Sequence, residues 1–207
     1  FQLNALSRDL VGFGTQSLDY DNDGDLDLVV ANGHLDDAQS IRGGFAQPMQ
    51  LLCNRGRDFE LLGVTDSSGY WNRLHVGRSL AVLDYDRDGL TDVVMTNIEQ
   101  PSALILNRTQ TPNHWLQVEL VGTSVDRDAV GSEVQVTVSW GTHHAWNVAG
   151  DGYMCSNERC LSFGLGLAEK VGRLVIRWPD GKEQTFNDIA ADQRILIIQG
   201  DADLYQL

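Results

Sequence analysis

Two short stretches concentrate oxygen donors at a fixed spacing: DYDNDGDLD from Asp19 to Asp27 and DYDRDGLTD from Asp84 to Asp92. Each places Asp at loop positions one, three, five and nine and Gly at position six. Position seven, Asp25 or Leu90, has only to offer its backbone carbonyl, so its side chain is free to be charged or apolar. So many carboxylates around one point repel one another unless a hard cation neutralises them, and an oxygen-only donor set selects Ca²⁺. The spacing predicts two Ca²⁺ sites, with ligands Asp19, Asp21, Asp23, Asp25 and Asp27 in the first and Asp84, Asp86, Asp88, Leu90 and Asp92 in the second. An EF-hand is not expected, because its loop needs a bidentate Glu at position twelve. Here that position is Val30 or Met95.

The flanks of these loops show what must hold them. TQSLDYDNDGDLDLVVAN (Thr15 to Asn32) and RSLAVLDYDRDGLTDVVMTN (Arg78 to Asn97) each set an apolar strand before the loop and a Val-rich strand after it. The similarity runs outward: Phe1 opens FQLNALSRDL as Phe59 opens FELLGVTDSS, and LLCN at Leu51 matches LILN at Leu104. A sequence self-similar at this period is built of repeated supersecondary units. Each unit reads as strand, acidic loop, strand, connection, strand, over residues 1–58 and 59–111. Insertions at His34 to Gln47 and at Trp71 to Gly77 distinguish the two.

Beyond the polar stretch Thr109 to Asn113, taken as a linker, the texture changes. Apolar residues alternate at Leu116, Val118 and Leu120, at Val134, Val136, Val138 and Trp140, and at Leu174, Ile176 and Trp178, as in half-buried strands. Trp178-Pro179-Asp180-Gly181-Lys182 reads as a turn between strands, and Ile195 to Ile198 as a strand buried on both faces. Residues 112–207 are expected to form a β-sandwich. The whole chain reads as all-β, with helix nearly absent.

The 207 residues carry 29 acidic against 15 basic side chains, a formal charge of -14, which repels nucleic acid and anionic lipid and favours a cation. No apolar run approaches the roughly 20 residues of a membrane-spanning helix, so no membrane insertion is expected. The sequence begins at Phe1 with neither Met nor leader, which reads as a piece of something longer.

Other residues have weaker claims. Cys155 and Cys160 are close enough in YMCSNERCL to staple a hairpin or to remain two unrelated thiols, and Cys53 reads as a small buried hydrophobe. Asn107-Arg108-Thr109 matches a glycosylation acceptor, but Asn54 occupies the same place in the first unit, which favours a structural turn. His143 and His144 fall on opposite faces of a strand and do not converge. Arg127, between Asp126 and Asp128, reads as a turn held by local ion pairing. Trp71, Trp115 and Trp146 are candidate stacking platforms for sugars, whereas Trp140 and Trp178 continue apolar alternations into a core. Glu119, Glu133, Glu158 and Glu183 show no pairing of the kind glycoside hydrolysis needs, so no catalytic residue is expected.

The acidic units resemble FG-GAP/VCBS repeats, the calcium-binding blade repeats of integrin-α-type β-propellers. The stretch from Asn113 is similar to the ASPIC/UnbV domain of the cartilage acidic protein family, through NHWLQVELVGT, DRDAVGSEV, SFGLG, RWPDG and ADQ. The resemblance implies a partial propeller of two blade-type repeats followed by the sandwich, with Ca²⁺ on the loop residues named above. It implies an extracellular, periplasmic or cell-surface recognition or adhesion module for a protein or glycan partner, not an enzyme. The rival readings are an accessory region of a secreted polysaccharide-active enzyme and a structural spacer. Two repeats cannot close a ring, so the second domain or a second copy of the chain is expected to cover their open faces.

Overall fold

The computed structural model of this chain describes residues 3–37, 44–64 and 68–207. Phe1 and part of the His34 to Gln47 insertion lie outside the described residues. The fold is all-β, with a single five-residue helix, α1 (Leu3–Ser7), among the described residues. Nine strands follow before the linker: β1 (Gly12–Leu18), β2 (Asp27–Asn32), β3 (Gln47–Pro48), β4 (Gln50–Asn54), β5 (Phe59–Leu61), β6 (Leu74–His75), β7 (Gly77–Leu83), β8 (Asp92–Asn97) and β9 (Ala103–Ile105). Eight more complete the chain: β10 (His114–Val121), β11 (Glu133–Val138), β12 (Gly141–Trp146), β13 (Cys160–Gly166), β14 (Lys170–Arg177), β15 (Glu183–Ala190), β16 (Gln193–Ile198) and β17 (Leu204–Gln206).

In the first half, β1-β2-β4-β5 form one antiparallel sheet and β7-β8-β9 another, with β3 and β6 pairing between them. The two sheets repeat in detail. The β1–β2 register slips between Gly12 and Thr15, and the β7–β8 register slips at the matching place between Gly77 and Leu80. Leu18, Val29 and Ala31 of the first sheet share a core with Leu80, Val93 and Met95 of the second. The stretches opening at Phe1 and Phe59 differ: one carries α1, while the other supplies β5, paired to β4 as the fourth strand of the first sheet.

The second half has two four-stranded sheets, β13-β10-β16-β17 and β12-β11-β14-β15. Their inward residues, among them Leu116, Val118, Val134, Val136, Leu174 and Ile195, form one apolar cluster. Within the first of these sheets β10 pairs in parallel with β16, Leu116 opposite Gln193. Two expectations are corrected. Along β16, Ile195 and Ile197 are fully buried but Leu196 and Ile198 only partly, so one face alone enters the core. Trp140 is half exposed, because β11 ends at Val138 and the alternation runs past it into a turn.

Candidate metal centre

The two acidic loops join β1 to β2 and β7 to β8, and they have the same backbone. Asp19 accepts from the Asp23 N–H at 3.1 Å and from the Gly24 N–H at 2.8 Å. Asp84 accepts from Asp88 at 3.2 Å and from Gly89 at 2.9 Å. Asp23 turns back to the Asp25 N–H and Asp88 to the Leu90 N–H. Gly24 and Gly89 sit at φ of 95° and 86°, a conformation glycine adopts without a Cβ penalty. At position nine, Asp27 takes the N–H groups of Tyr20 and Asn54, and Asp92 those of Tyr85 and Asn107. Each closing aspartate thus ties the end of its loop back to the loop's second residue and across to an Asn at the end of β4 or just past β9.

Carboxylate oxygens of Asp19, Asp21 and Asp27 lie within 4.8 Å of one another, as do those of Asp84, Asp86 and Asp88. Asp23 and Asp92 lie outside these clusters, each engaged with backbone N–H groups. One oxygen of Asp21 is buried without any partner. Burial, reinforced by the charges of Asp23, Asp21 and Asp27 and opposed by the Gly24 N–H, pushes Asp19 up to about 7. Burial likewise lifts Asp27 to about 6 and raises Asp21 and Asp92. Crowded oxygen donors, an orphaned buried oxygen and carboxylates reluctant to ionise together fit a hard cation.

The loops also form the joint between the halves of the molecule. Asn22 donates to Gly89 O, linking one loop to the other. Gly166 N–H donates to Asn22 O, Asn113 to Asp21 O, and Gln117 to Asp84 Oδ2 at 2.8 Å. A Cβ on Gly164 would fall on an Asp19 carboxylate oxygen, and one on Gly89 would fall within the Trp115 ring. Trp140 lies against Gly24 while its Nε1–H donates to Leu165 O.

Residues 149–159 reach back across this joint. Glu158 N–H donates to Val82 O, Asn157 accepts from Val82 N–H and donates to Gln16, and Cys155 donates to Leu80 O. The strap satisfies backbone groups along the outer side of β7, an edge strand of its sheet. Exposed strand edges of this kind invite pairing with other chains. A cavity of about 640 Å³ lies between the halves, with Asp19, Asp84, His143, Trp146, Glu158 and Arg159 in its walls.

The remaining sequence candidates resolve as follows. Cys53, Cys155 and Cys160 are all free thiols, so no disulfide staples 155 to 160. Asn107 is a turn residue, its side chain capping Thr109 and donating to Tyr20 O. His143 packs edge-on to Trp140 while His144 bonds Glu133, on opposite faces of β12. Asp128, beside Arg127, pairs with Arg159 instead. Trp71 is buried and Trp115 underlies Gly89; of the three platform candidates only Trp146, beside His144, is strongly exposed. The four glutamates do pair, through arginine: Glu119 and Glu158 on Arg194, and Glu133 and Glu183 on Arg177. Sequence reasoning missed Gln117, Arg108 and the strap. Only for Arg108 was a signal at hand, since Asn107-Arg108 repeats Asn54-Arg55.

No helix among the described residues is long and apolar enough to cross a membrane. The chain is 31% identical over 171 residues to cartilage acidic protein 1 of Xenopus tropicalis, a match covering 79% of this chain. It spans about a quarter, 25%, of the length of that curated relative. Residues 122–204, from the turn after β10 to the last strand, match the family described as ASPIC and UnbV.

Proposed function

We propose that this chain is an extracytoplasmic calcium-binding recognition module without catalytic activity. In this reading residues 1–111 are two propeller-blade-type repeats of the FG-GAP/VCBS kind and residues 112–207 a β-sandwich that covers them. The carrying observation is that two loops with one hydrogen-bond pattern each gather three carboxylates, Asp19, Asp21 and Asp27 in the first and Asp84, Asp86 and Asp88 in the second, with oxygens within 4.8 Å of one another. Calcium would be held by Asp19, Asp21, Asp23 and Asp27 with the Asp25 carbonyl, and by Asp84, Asp86, Asp88 and Asp92 with the Leu90 carbonyl. Its role is to neutralise the loops and hold the joint in one geometry.

The similarity to a protein named for cartilage and for acidity supports an extracellular setting. The partner, a protein or a glycan, is met at the cavity between the halves, where Trp146 offers an exposed ring. The docking of residues 149–159 on β7 supports the second half as the cover of the repeats. Calorimetric titration of metal-stripped protein tests the reading: two Ca²⁺ steps are expected, one lost in Asp21→Ala and the other in Asp86→Ala. The absence of saturable binding at millimolar Ca²⁺ would overturn it. A glycan array on the loaded protein separates a sugar partner from a protein one.

A further inference from the structure

The two loops share a backbone but not a counter-ion. Asn54-Arg55 and Asn107-Arg108 stand at equivalent places, each Asn N–H donating to the last aspartate of its loop at 2.7 Å. From there the arginines part. Arg108 places Nη2 2.5 Å from Asp86 and Nη1 2.8 Å from Asp88, clamping the third and fifth positions of its own loop. Arg55 instead meets Glu60, with Nε 3.0 Å from Oε2, and Asp21 keeps a buried oxygen with no partner.

Sheet topology explains the divergence. Glu60 lies on β5, opposite Cys53 of β4, so the fourth strand of the first sheet supplies the carboxylate that draws Arg55 away. Among the described residues the second sheet ends at β9. With no fourth strand beside it, Arg108 has the loop carboxylates as its acceptors. The loops differ in charge in the same sense. Asp19 to Asp27 holds five carboxylates and no basic residue, whereas Asp84 to Asp92 holds four and Arg87.

We propose that Arg108 is a tethered competitor for the second cation site, so that the two sites are unequal. The first loop, whose arginine is bonded to Glu60 and reaches Asp21 only through its charge, takes a divalent cation directly. The second takes one only as the guanidinium leaves Asp86 and Asp88. A guanidinium and a hard cation seek the same carboxylate oxygens, and both cannot hold them. The inference rests on the calcium-site reading and adds the order in which the two sites fill.

The 207-residue chain, stripped of metal and titrated with CaCl₂, provides the test, with Asp21→Ala and Asp86→Ala assigning each step to its loop. The wild type is expected to show a tighter step at the first loop and a weaker one at the second. Arg108→Gln should tighten the second step roughly three- to tenfold, the scale of two exposed ion pairs, and leave the first unchanged. Arg108→Lys, which cannot clamp two carboxylates in a fork, should fall between. Glu60→Gln should release Arg55 and weaken the first step, and adding Arg55→Gln should restore it. If both steps are present but Arg108→Gln leaves the second unchanged or weaker, the competitor role fails and the calcium reading stands. If the wild type binds no Ca²⁺, both fail together.

Discussion

The side-chain amide of Gln117, on the first strand of the C-terminal half, donates to a carboxylate oxygen of Asp84, the first residue of the second acidic loop, at 2.8 Å. Both residues are buried. Removing the donor leaves a buried carboxylate oxygen short of a hydrogen bond, which costs more than the bond itself contributes. Gln117→Leu should therefore destabilise the protein by about 1–3 kcal/mol and weaken the second cation step while sparing the first. Urea unfolding and calorimetry on the same variant read the two effects.

Gly164 of β13 abuts Asp19 so closely that a Cβ has no room. Gly164→Val should drive the first loop and β13 apart, at about 1–3 kcal/mol for an overpacked contact. The measurable signs are a lowered Tm and a weakened first cation step. The same substitution at Gly181, where nothing lies within 4 Å of the added carbon but φ is 83°, should cost stability without touching either step.

Asp19 at about 7 and Asp27 at about 6 in the folded chain lie well above the roughly 3.9 of an unfolded aspartate. Without metal these groups favour the fold only while protonated. Their contribution is complete below about pH 4 and is lost as pH rises through 6 and 7. The Tm of EDTA-treated protein should therefore fall between pH 5 and 7.5. With Ca²⁺ the trend should reverse, because binding displaces those protons and tightens over the same window.

Burial pushes the thiols of Cys53 and Cys160 up to about 11 and about 12. As thiolate is the reactive form, both should resist alkylation at pH 8 in the folded protein and react on unfolding. Mass spectrometry after a brief iodoacetamide pulse, with and without urea, should show at most one adduct folded and three unfolded. A pair of adducts lost under non-reducing conditions would indicate a disulfide that the free thiols here exclude.

The acidic loops and the strands around them were legible because the signal is local and occurs twice. Alternation at Val134, Val136 and Val138 marked β11 for the same reason, since burial on one face imposes period two. It misled at Trp140, where the strand has ended and the indole is recruited to a loop over a hundred residues earlier. Glu119 and Glu158 looked unrelated because Arg194, which bridges them, comes from a strand distant in sequence. Arg55 and Arg108 do differ locally, since Glu60 follows Arg55 by five residues where Asn113 follows Arg108, but nothing in the sequence shows that the chain turns back through β5 to bring Glu60 onto Arg55. Pairings set by sheet order leave no periodicity to read.

The parallel pairing of β10 with β16 has a consequence for how the chain is made. The first strand of the C-terminal half sits between β13 and β16, so during synthesis Leu116, Val118 and Leu120 emerge long before one of their two neighbours exists. Hairpins such as β1–β2 and β7–β8 can close as soon as they clear the ribosome, but this sheet waits for a non-local contact whose loop entropy must be met first. For that interval the half-built sheet presents an open edge of unpaired backbone groups on β10, the kind of surface at which an incomplete chain can pair wrongly.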